Sequence, residues 1–285
     1  MSKIPIVIFA YNRPSHFKRV MISLQNNKIN NKIYLILDGP KNKKDIILQK
    51  DILGSIETVG KYNKFKKNQF TVFKNTKNLG LAKSISKGLD KISKLHENFI
   101  VLEDDVVPYK NMVPFFSNCI KKYKNEKKVA AICGYQFFSF EKNSKILETK
   151  ILKHFIPWGW ATWSKNWREF RKKNKKIILK INNKNPKFIN LLQKNLIKKG
   201  NYKNYWSLNF MTYNYSKNYH YIFPNNSLVK NIGFDGSGTN SHTTNDLYVI
   251  EKNVNRIRYN EVKFYKPDII KQEKLLKKVF KNFYN

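Results

Sequence analysis

The sequence predicts an α/β fold in which a mostly parallel sheet is covered by helices on both faces. Short apolar segments rich in branched residues alternate with longer segments that repeat apolar residues every three or four positions. The apolar segments are nearly continuous, which is typical of strands buried on both faces. This alternation continues to about residue 135, as expected for strands joined by helical crossovers.

The first elements are predicted in order from the amino end. KIPIVIFAY (3–11) is the first strand, and Pro14 stands near the first turn of a helix. One face of that helix is apolar and comprises Phe17, Val20, Met21 and Leu24. A second strand over residues 32–40 and a second helix over residues 45–57 repeat the pattern.

The third and fourth predicted strands flank the longest amphipathic segment. Residues 70–75 form the third strand, and FIVL (99–102) forms the fourth. Between them, residues 78–96 predict a helix with one apolar side, formed by Leu81, Ile85, Leu89, Ile92 and Leu95. A helix over residues 112–124 and a strand over residues 129–135 follow.

The pattern changes after residue 135, and we divide the chain into residues 1–135, residues 136–250 and a tail of residues 251–285. The middle part is rich in aromatic residues, which include Phe155, Trp158, Trp160, Trp163 and Trp167. These rings predict an aromatic core beneath loops, a surface on which sugar rings stack, or both. In the tail, residues 268–283 predict a basic amphipathic helix that docks on the domain or lies on a membrane interface.

The composition excludes several classes of protein. A hydrophobic fraction of 41% in 285 residues fits a folded globular chain rather than a disordered one. No apolar run reaches the roughly 18 residues of a membrane span, and the amino end lacks a signal-peptide layout, so we expect a cytoplasmic protein. Cys119 and Cys133 lie in apolar surroundings without metal-ligand spacing, which predicts buried reduced thiols.

The charge balance predicts an anionic partner. The chain carries 56 basic and 19 acidic residues, for a formal net charge of +37. The anionic surface of a membrane ranks above nucleic acid as that partner. Only six of the basic residues are arginine, and Asn and Ile are abundant. Because A/T-rich codons produce that composition on their own, codon bias is the alternative explanation.

Polar residues follow the first, second and fourth predicted strands, and they are Tyr11-Asn12-Arg13, Asp38-Gly39 and Glu103-Asp104-Asp105. Since ligands bind at the carboxyl ends of parallel strands, we expect these residues to converge at one edge of the sheet. Three adjacent carboxylates repel one another. A divalent cation that also binds a diphosphate is the first candidate to compensate them. The alternative is an acidic cluster at the start of a helix.

Several segments together resemble a known family, and they are PIVIFAYNRP (5–14), LILDGP (35–40), NLGLAKSISKGLD (78–90), EDD (103–105) and NSLVKNIGFDGSGTNSH (226–242). Over roughly residues 4–245 the chain resembles bacterial glycosyltransferases of the Rossmann-like GT-A fold. The glycosyltransferases that it resembles are of the family 2 type and are related to the N-acetylglucosaminyltransferase that initiates complex N-glycans. The resemblance implies that residues 1–135 bind a nucleotide-sugar and that residues 136–250 bind the acceptor.

The resemblance also implies roles for individual residues. Asp38 would accept a hydrogen bond from N3–H of uracil, and Asp105 would be the direct ligand of Mn²⁺ or Mg²⁺. The implied nucleotide-sugar site consists of Ala10, Tyr11, Arg13, Asp38, Asn78, Glu103 and Asp104. The expected acceptor-binding residues are Trp158, Trp160 and Trp206.

The general base is the part of the pattern that this chain lacks. The inverting relative carries its base in a Trp-Asp-Asp-Trp segment, and the corresponding stretch here is YWSL (205–208), in which Ser207 cannot act as a base. Asp235 and His242 are the candidate catalytic residues, with Glu169 as a further candidate. Alternatively, Asp235 belongs to a simple turn, and His242 is a loop histidine or an extra metal ligand.

The resemblance implies a metal-dependent, inverting hexosyl- or N-acetylhexosaminyltransferase that uses a UDP-sugar. Its acceptor would be a bacterial surface glycan such as lipooligosaccharide or capsule. A lipid-linked acceptor would explain a basic protein on the inner face of the cytoplasmic membrane. The alternatives are a catalytically inactive sugar-binding relative, which Ser207 keeps open, and a basic nucleic-acid-binding protein. We expect no nucleic-acid partner, because nucleic acid gives no reason for acidic residues at the cleft.

Overall fold

A computed structural model describes residues 3–62, 69–136, 148–173, 206–237 and 263–264. Its strands are β1 (Ile6–Ala10), β2 (Ile33–Leu37), β3 (Phe70–Lys74), β4 (Asn98–Glu103), β5 (Val106–Pro108), β6 (Val129–Cys133), β7 (Glu148–Leu152), β8 (Trp160–Trp163), β9 (His220–Pro224), β10 (Val229–Asn231) and β11 (Lys263–Phe264). Its helices are α1 (Pro14–Asn26), α2 (Lys43–Tyr62), α3 (Leu81–Leu95), α4 (Met112–Lys122), α5 (Ser164–Lys173) and α6 (Trp206–Ser216). All elements predicted before residue 135 are present, and β5 is an addition.

Nine of these strands form one sheet, in the order β11-β7-β9-β6-β8-β4-β1-β2-β3. β1 pairs in parallel with β2 and with β4, and β2 pairs in parallel with β3. The chain therefore runs outward from β1 to β3 and then returns to the other side of β1 as β4. A reversal of this kind opens a crevice at the carboxyl ends of β1 and β4, where α/β proteins bind ligands.

The other half of the sheet is mixed. β8 is antiparallel to both β4 and β6, β6 is parallel to β9, and β7 is antiparallel to β9. Regular alternation ends near residue 135, as predicted, but β7, β8 and β9 continue the same sheet rather than forming a separate layer. Parallel pairs still predominate, so the predicted α/β class with a mostly parallel sheet is confirmed.

The helices pack in two groups, with α1 against α2 and with α3 against α5 and α6. Since crossovers between parallel strands are almost always right-handed, this strand order implies that α1 and α2 cover one face of the sheet and α3 the other. In α3, Gly88 permits a close approach to the sheet, because a Cβ there would lie 2.8 Å from the ring of Phe9. The apolar side of α3 is shorter than predicted, since Leu81 and Leu95 at its ends are 43% and 56% exposed.

The core is continuous along the sheet, and every residue of β1, β2 and β6 is buried. Cys119 and Cys133 are buried and free, as predicted, and burial raises the pKa of both thiols. Within the described ranges, no helix combines the length and the apolar character that crossing a membrane requires.

Candidate functional site

Arg13 supplies the positive charge nearest to the acidic triplet. It follows β1, and its guanidinium Nη2 donates to Oδ1 of Asp104 at 2.5 Å and to Oδ2 of Asp105 at 2.7 Å. The backbone N–H of Tyr11 also donates to Asp104, at 3.3 Å. The expected convergence of the first and fourth strand ends therefore occurs. A side chain of the protein therefore compensates part of the negative charge of the triplet.

The triplet lies at the end of a buried strand and not at the start of a helix. Glu103 closes β4, and Asp104 and Asp105 form the turn that leads into β5. Desolvation, followed by repulsion from Asp105 and Asp104, raises the pKa of Glu103 to about 8. Desolvation also raises the pKa of Asp104 to about 6, against the opposing attraction of Arg13. The raised pKa favours the neutral form of Glu103 near pH 7, and Arg13 contacts only the two aspartates. A further cation would therefore be attracted mainly by Asp104 and Asp105.

Asp38 joins the second strand to the loop that precedes α3. Its Oδ1 accepts from the N–H of Gly39, the N–H of Leu79 and the Nδ2 of Asn75, each at 3.0 Å. Its Oδ2 accepts from the N–H of Gly80 at 2.9 Å. A carboxylate offers about four acceptor positions. These bonds occupy Oδ1 fully, so a ligand that contacts Asp38 would meet Oδ2.

Asn78 is also held within the protein. Its Nδ2 donates to the backbone oxygen of Gly39 at 2.8 Å. A Cβ on Gly39 would lie 2.2 Å from the carbonyl carbon of Lys77, so glycine is required for this contact. The predicted nucleotide-binding residues Asp38 and Asn78 therefore join two loops at the ligand edge of the sheet, whatever they bind. Ala10 is buried, and its backbone oxygen accepts a hydrogen bond from the N–H of Asp38 at 3.0 Å.

The glycine-rich segment 229–237 covers the acidic triplet. β10 pairs antiparallel with β5, and the N–H of Ile232 donates to the backbone oxygen of Asp105 at 2.9 Å. A Cβ on Gly233 would lie 2.2 Å from Oδ2 of Asp105 and 3.2 Å from Nη1 of Arg13. The segment therefore reaches the centre of the site, although more than 120 residues of sequence separate it from the triplet.

The three candidate bases have different positions. Oδ2 of Asp235 lies 3.0 Å from Nε2 of His16 in α1, and the Asp235 side chain is 49% exposed. Hydrogen bonds from Ser237 hold the pKa of Asp235 below its ordinary value. Glu169 accepts from Tyr213 at 3.0 Å and from Lys173 at 3.1 Å, so its contacts are with α5 and α6 and not with the triplet. His242 lies outside the described residues.

The structure contradicts the acceptor role expected of two tryptophans. Trp160 is fully buried and Trp206 is 6% exposed, and their rings stack with centroids 5.5 Å apart. Phe155 and Phe210 also belong to this aromatic core. The core alternative is correct for these residues, because β8 brings Trp160 into the middle of the sheet. Sequence density of aromatic residues does not distinguish the two alternatives.

Trp158 differs from these residues, since it is only partly buried. Its ring makes edge-to-face contacts with the rings of Tyr135 and Phe234, with ring centroids 4.7 Å and 5.3 Å apart. Phe234 belongs to the segment that covers the triplet. Trp158 therefore lies at the border between the site and the second half of the sheet, and an acceptor-binding role for it remains a prediction.

Asp45 is a residue of this region that the sequence reasoning missed. It is 3% exposed, and its carboxylate accepts from the side chains of Tyr11 and Asn12. Asn42 caps the helix by accepting the N–H of Asp45 at 2.9 Å. The spacing of Asn42 and Asp45 is that of a capping box, which is the signal that could have drawn attention to this acid.

Sequence comparison places the chain in a family. A profile of glycosyl transferase family 2 matches residues 6–191, which is more than half of the chain and includes β1 through the acidic triplet. The chain belongs to glycosyl transferase family 2. The resemblance stated from its motifs is thereby confirmed. No curated protein matches the chain.

Solved structures with a similar arrangement are distant from this family 2 chain. The galactosyltransferase LgtC, in complex with donor and acceptor sugar analogues, has 9% identity and a TM-score of 0.37, and the match covers 58% of this chain and 60% of that one. A glucose-1-phosphate thymidylyltransferase described as putative, from Bacillus anthracis, has 16% identity and a TM-score of 0.34, over 60% of this chain and 75% of that one. The family assignment rests on the sequence match, because these scores are low.

The residues at the triplet fit a divalent cation that is shared with a ligand. Within the described ranges, no three His, Cys, Asp or Glu side chains form a group that could hold a metal ion by themselves. Mg²⁺ in nucleotide sites needs only one or two carboxylates, because phosphate oxygens and water complete its coordination. Of the two aspartates, Asp105 has the more exposed side chain, at 14% against 6% for Asp104, although Arg13 contacts its Oδ2.

Proposed function

We propose that this family 2 protein is an inverting glycosyltransferase that moves a hexosyl or N-acetylhexosaminyl group from a UDP-sugar to a bacterial surface glycan. The observation that carries the proposal is the contact of Arg13 with Asp104 and Asp105 at the ends of β1 and β4, beside Asp38, which follows the neighbouring strand β2 and is bonded to Ala10 of β1. Backbone and carboxylate groups of this kind suit a nucleotide at a strand-order reversal. Lipooligosaccharide and capsule are the proposed acceptor classes.

In this proposal, Oδ2 of Asp38 accepts N3–H of the uracil, and Tyr11 borders the base. Glu103 and Asp104 face the ribose and the sugar, and Asn78 holds the loop beside them. Asp105 would hold Mn²⁺ or Mg²⁺, and the bound ion would supply Lewis-acid stabilisation of negative charge on a diphosphate. Arg13 keeps the carboxylates of Asp104 and Asp105 in fixed positions through its two short hydrogen bonds.

Asp235 is the proposed general base. It belongs to the segment that contacts Asp105, and its side chain is 49% exposed, so an acceptor hydroxyl can reach the carboxylate. An acceptor hydroxyl would lose its proton to Asp235 as its oxygen attacks the anomeric carbon and the bond from that carbon to UDP breaks. Trp158, which contacts this segment through Phe234, is the proposed acceptor-binding residue.

A hydrolysis screen of UDP-, GDP- and CMP-sugars, with and without Mn²⁺, tests the proposal. We expect release of UDP from one UDP-sugar and a requirement for the metal. Binding of a UDP-sugar without release, in the presence of candidate acceptors, would identify an inactive sugar-binding relative instead. Absence of both binding and release for every donor would overturn the proposed function.

Replacing Asp105 by alanine tests the metal ligand. The Asp105→Ala variant should lose the part of UDP binding that depends on Mn²⁺, because the triplet loses its partly exposed carboxylate. Titration calorimetry with UDP, with and without Mn²⁺, measures this. Asp51→Ala, at an exposed position of α2, is the matched control and should bind as the unaltered protein does. Metal-dependent binding that survives in Asp105→Ala would rule out this assignment.

A further inference from the structure

Asp45 is a buried carboxylate with donors from two different loops. In the first turn of α2, its Oδ2 accepts from the hydroxyl of Tyr11 at 2.5 Å and from the N–H of Lys41 at 2.9 Å. Its Oδ1 accepts from Nδ2 of Asn12 at 2.8 Å. Charge-assisted hydrogen bonds of this length are among the stronger ones in proteins. They connect the loop after β1 to the loop after β2.

The position of Asp45 in the first turn of the helix does not explain its contacts with Tyr11 and Asn12. An acid in a first turn favours the helix end by its charge alone and needs no buried partner. Here the residue is 3% exposed, and its two side-chain donors lie 34 and 33 positions away in sequence. The carboxylate therefore acts as a cross-link between loops, and both loops border Asp38.

The cross-link determines where the Tyr11 ring lies. The phenol is held at its hydroxyl by Asp45, and the ammonium of Lys41 lies 5.7 Å from the centre of the ring. The N–H of the same Tyr11 reaches Asp104. A side chain that is fixed before a ligand arrives loses less conformational entropy on binding than one that must be ordered.

We infer that Asp45 is a positioning residue that fixes the Tyr11 ring and the Asn12 amide as one wall of the nucleotide site. The inference deepens the proposed function and rests on it. Asp45 itself does not contact the ligand. It acts through Tyr11, and its contribution is affinity for the nucleotide rather than a step in the transfer reaction.

The test is UDP binding by titration calorimetry to the unaltered protein, Asp45→Asn, Tyr11→Phe and the double variant. Tyr11→Phe keeps the ring but removes its hydroxyl. Each single variant should weaken UDP binding about three- to tenfold, the amount expected when one side chain must be ordered on binding. The affinity of the double variant for UDP should be close to that of the single variant with the lower affinity. The two losses should not add, because both changes remove the same contact.

The controls separate positioning from stability. Asp51→Asn, at an exposed position of the same helix, should leave the affinity unchanged. A lower melting temperature of Asp45→Asn and Tyr11→Phe with unchanged UDP affinity would overturn the inference and leave the proposed function standing. Failure of the unaltered protein to bind UDP would overturn both. If Asp45→Asn does not fold, Tyr11→Phe decides the question alone.

Discussion

The contact of Arg13 with Asp104 and Asp105 depends on the shape of the guanidinium as well as on its charge. Two short hydrogen bonds from one planar group hold two adjacent carboxylates apart and in place. The Arg13 side chain is only 19% exposed, so solvent screens these contacts weakly. Lysine would supply the charge but not the planar arrangement of donors. Use of arginine here is notable in a chain where only six of 56 basic residues are arginine.

We expect Arg13→Lys to lower both the free energy of unfolding and the affinity for the nucleotide-sugar. Loss of a hydrogen bond to a charged group costs about 1.5–3 kcal/mol, and urea unfolding measures it. Arg19→Lys, at an exposed position of α1, is the matched control and should change stability by less than about 0.5 kcal/mol. Equal effects of the two substitutions would show that the guanidinium of Arg13 contributes charge alone.

Gly233 is the second residue-scale requirement of the site. In Gly233→Ala, the new Cβ would lie 2.2 Å from Oδ2 of Asp105, so either the loop or the carboxylate must move. We expect Mn²⁺-dependent UDP binding to fall sharply, measured by calorimetry, while the far-ultraviolet circular dichroism spectrum is retained.

Gly54→Ala is the control for Gly233→Ala. A Cβ on Gly54, within α2, meets no atom within 4 Å. Since alanine favours a helix over glycine, this variant should gain up to about 1 kcal/mol of stability and keep its affinity. Unchanged UDP binding by Gly233→Ala would mean that the segment tolerates a shift away from Asp105.

At the scale of elements, the site consists of loops that are tied to one another. Asp38 accepts hydrogen bonds from the loop before α3, and Asp45 accepts them from the loop after β1. The segment 229–237 packs against the turn after β4. Each tie joins segments that are distant in sequence but lie at one edge of the sheet. Ligand groups would therefore meet a surface that is already ordered, which lowers the entropic cost of binding.

The cross-link at Asp45 predicts a pH dependence of stability. Burial acts to raise the pKa of Asp45, but hydrogen bonds from Tyr11, Asn12 and Lys41 outweigh it and hold the pKa below its ordinary value. The bonds therefore stabilise the fold above the unfolded pKa of about 3.9, and that stability is lost as pH falls through the lower folded pKa. The stability gap between the unaltered protein and Asp45→Asn should be constant from about pH 7 to pH 5 and shrink below about pH 4.

Urea unfolding at several pH values measures this gap. Asp51→Asn, in the same helix but at an exposed position, is the control. A gap for Asp45→Asn that stays the same down to about pH 3 would mean that the carboxylate charge does not contribute to the cross-link.

At the scale of the whole molecule, one sheet joins the two halves of the chain. β8, from the aromatic half, inserts between β4 and β6 of the first half. This insertion is what buries Trp160 and brings the turn at Trp158 and Gly159 next to the triplet, where a Cβ on Gly159 would lie 2.8 Å from a Val229 methyl group. The donor and acceptor sides of the proposed site therefore depend on the same sheet.

The net charge of +37 predicts binding to anionic membranes. Each lysine near such a surface contributes about 1 kcal/mol, and salt screens the attraction. We expect the protein to sediment with vesicles that contain phosphatidylserine and to be released as salt rises. The proposed contact is the basic segment of residues 268–283, for which the sequence predicts an amphipathic helix and which lies outside the described residues.

Neutral replacements in that segment test the contact. Glutamine at Lys271, Lys274, Lys277, Lys278 and Lys281 should weaken vesicle binding, and vesicles of phosphatidylcholine alone are the control. Absence of binding to either kind of vesicle would favour codon bias as the source of the charge.

The sequence by itself determined the order of strands and helices up to residue 135 except for the short strand β5, together with the α/β class and the family. Apolar periodicity is a local property, and parallel strands place their carboxyl ends on one edge, so Arg13, Asp38 and Asp105 could be expected to meet. Only the tertiary structure decided the contact partners. Arg13 and Asp104 are 91 positions apart, and Asp45 and Tyr11 are 34 apart. Composition also could not show that Trp160 is core and Trp158 is not, because their burial depends on where β8 enters the sheet.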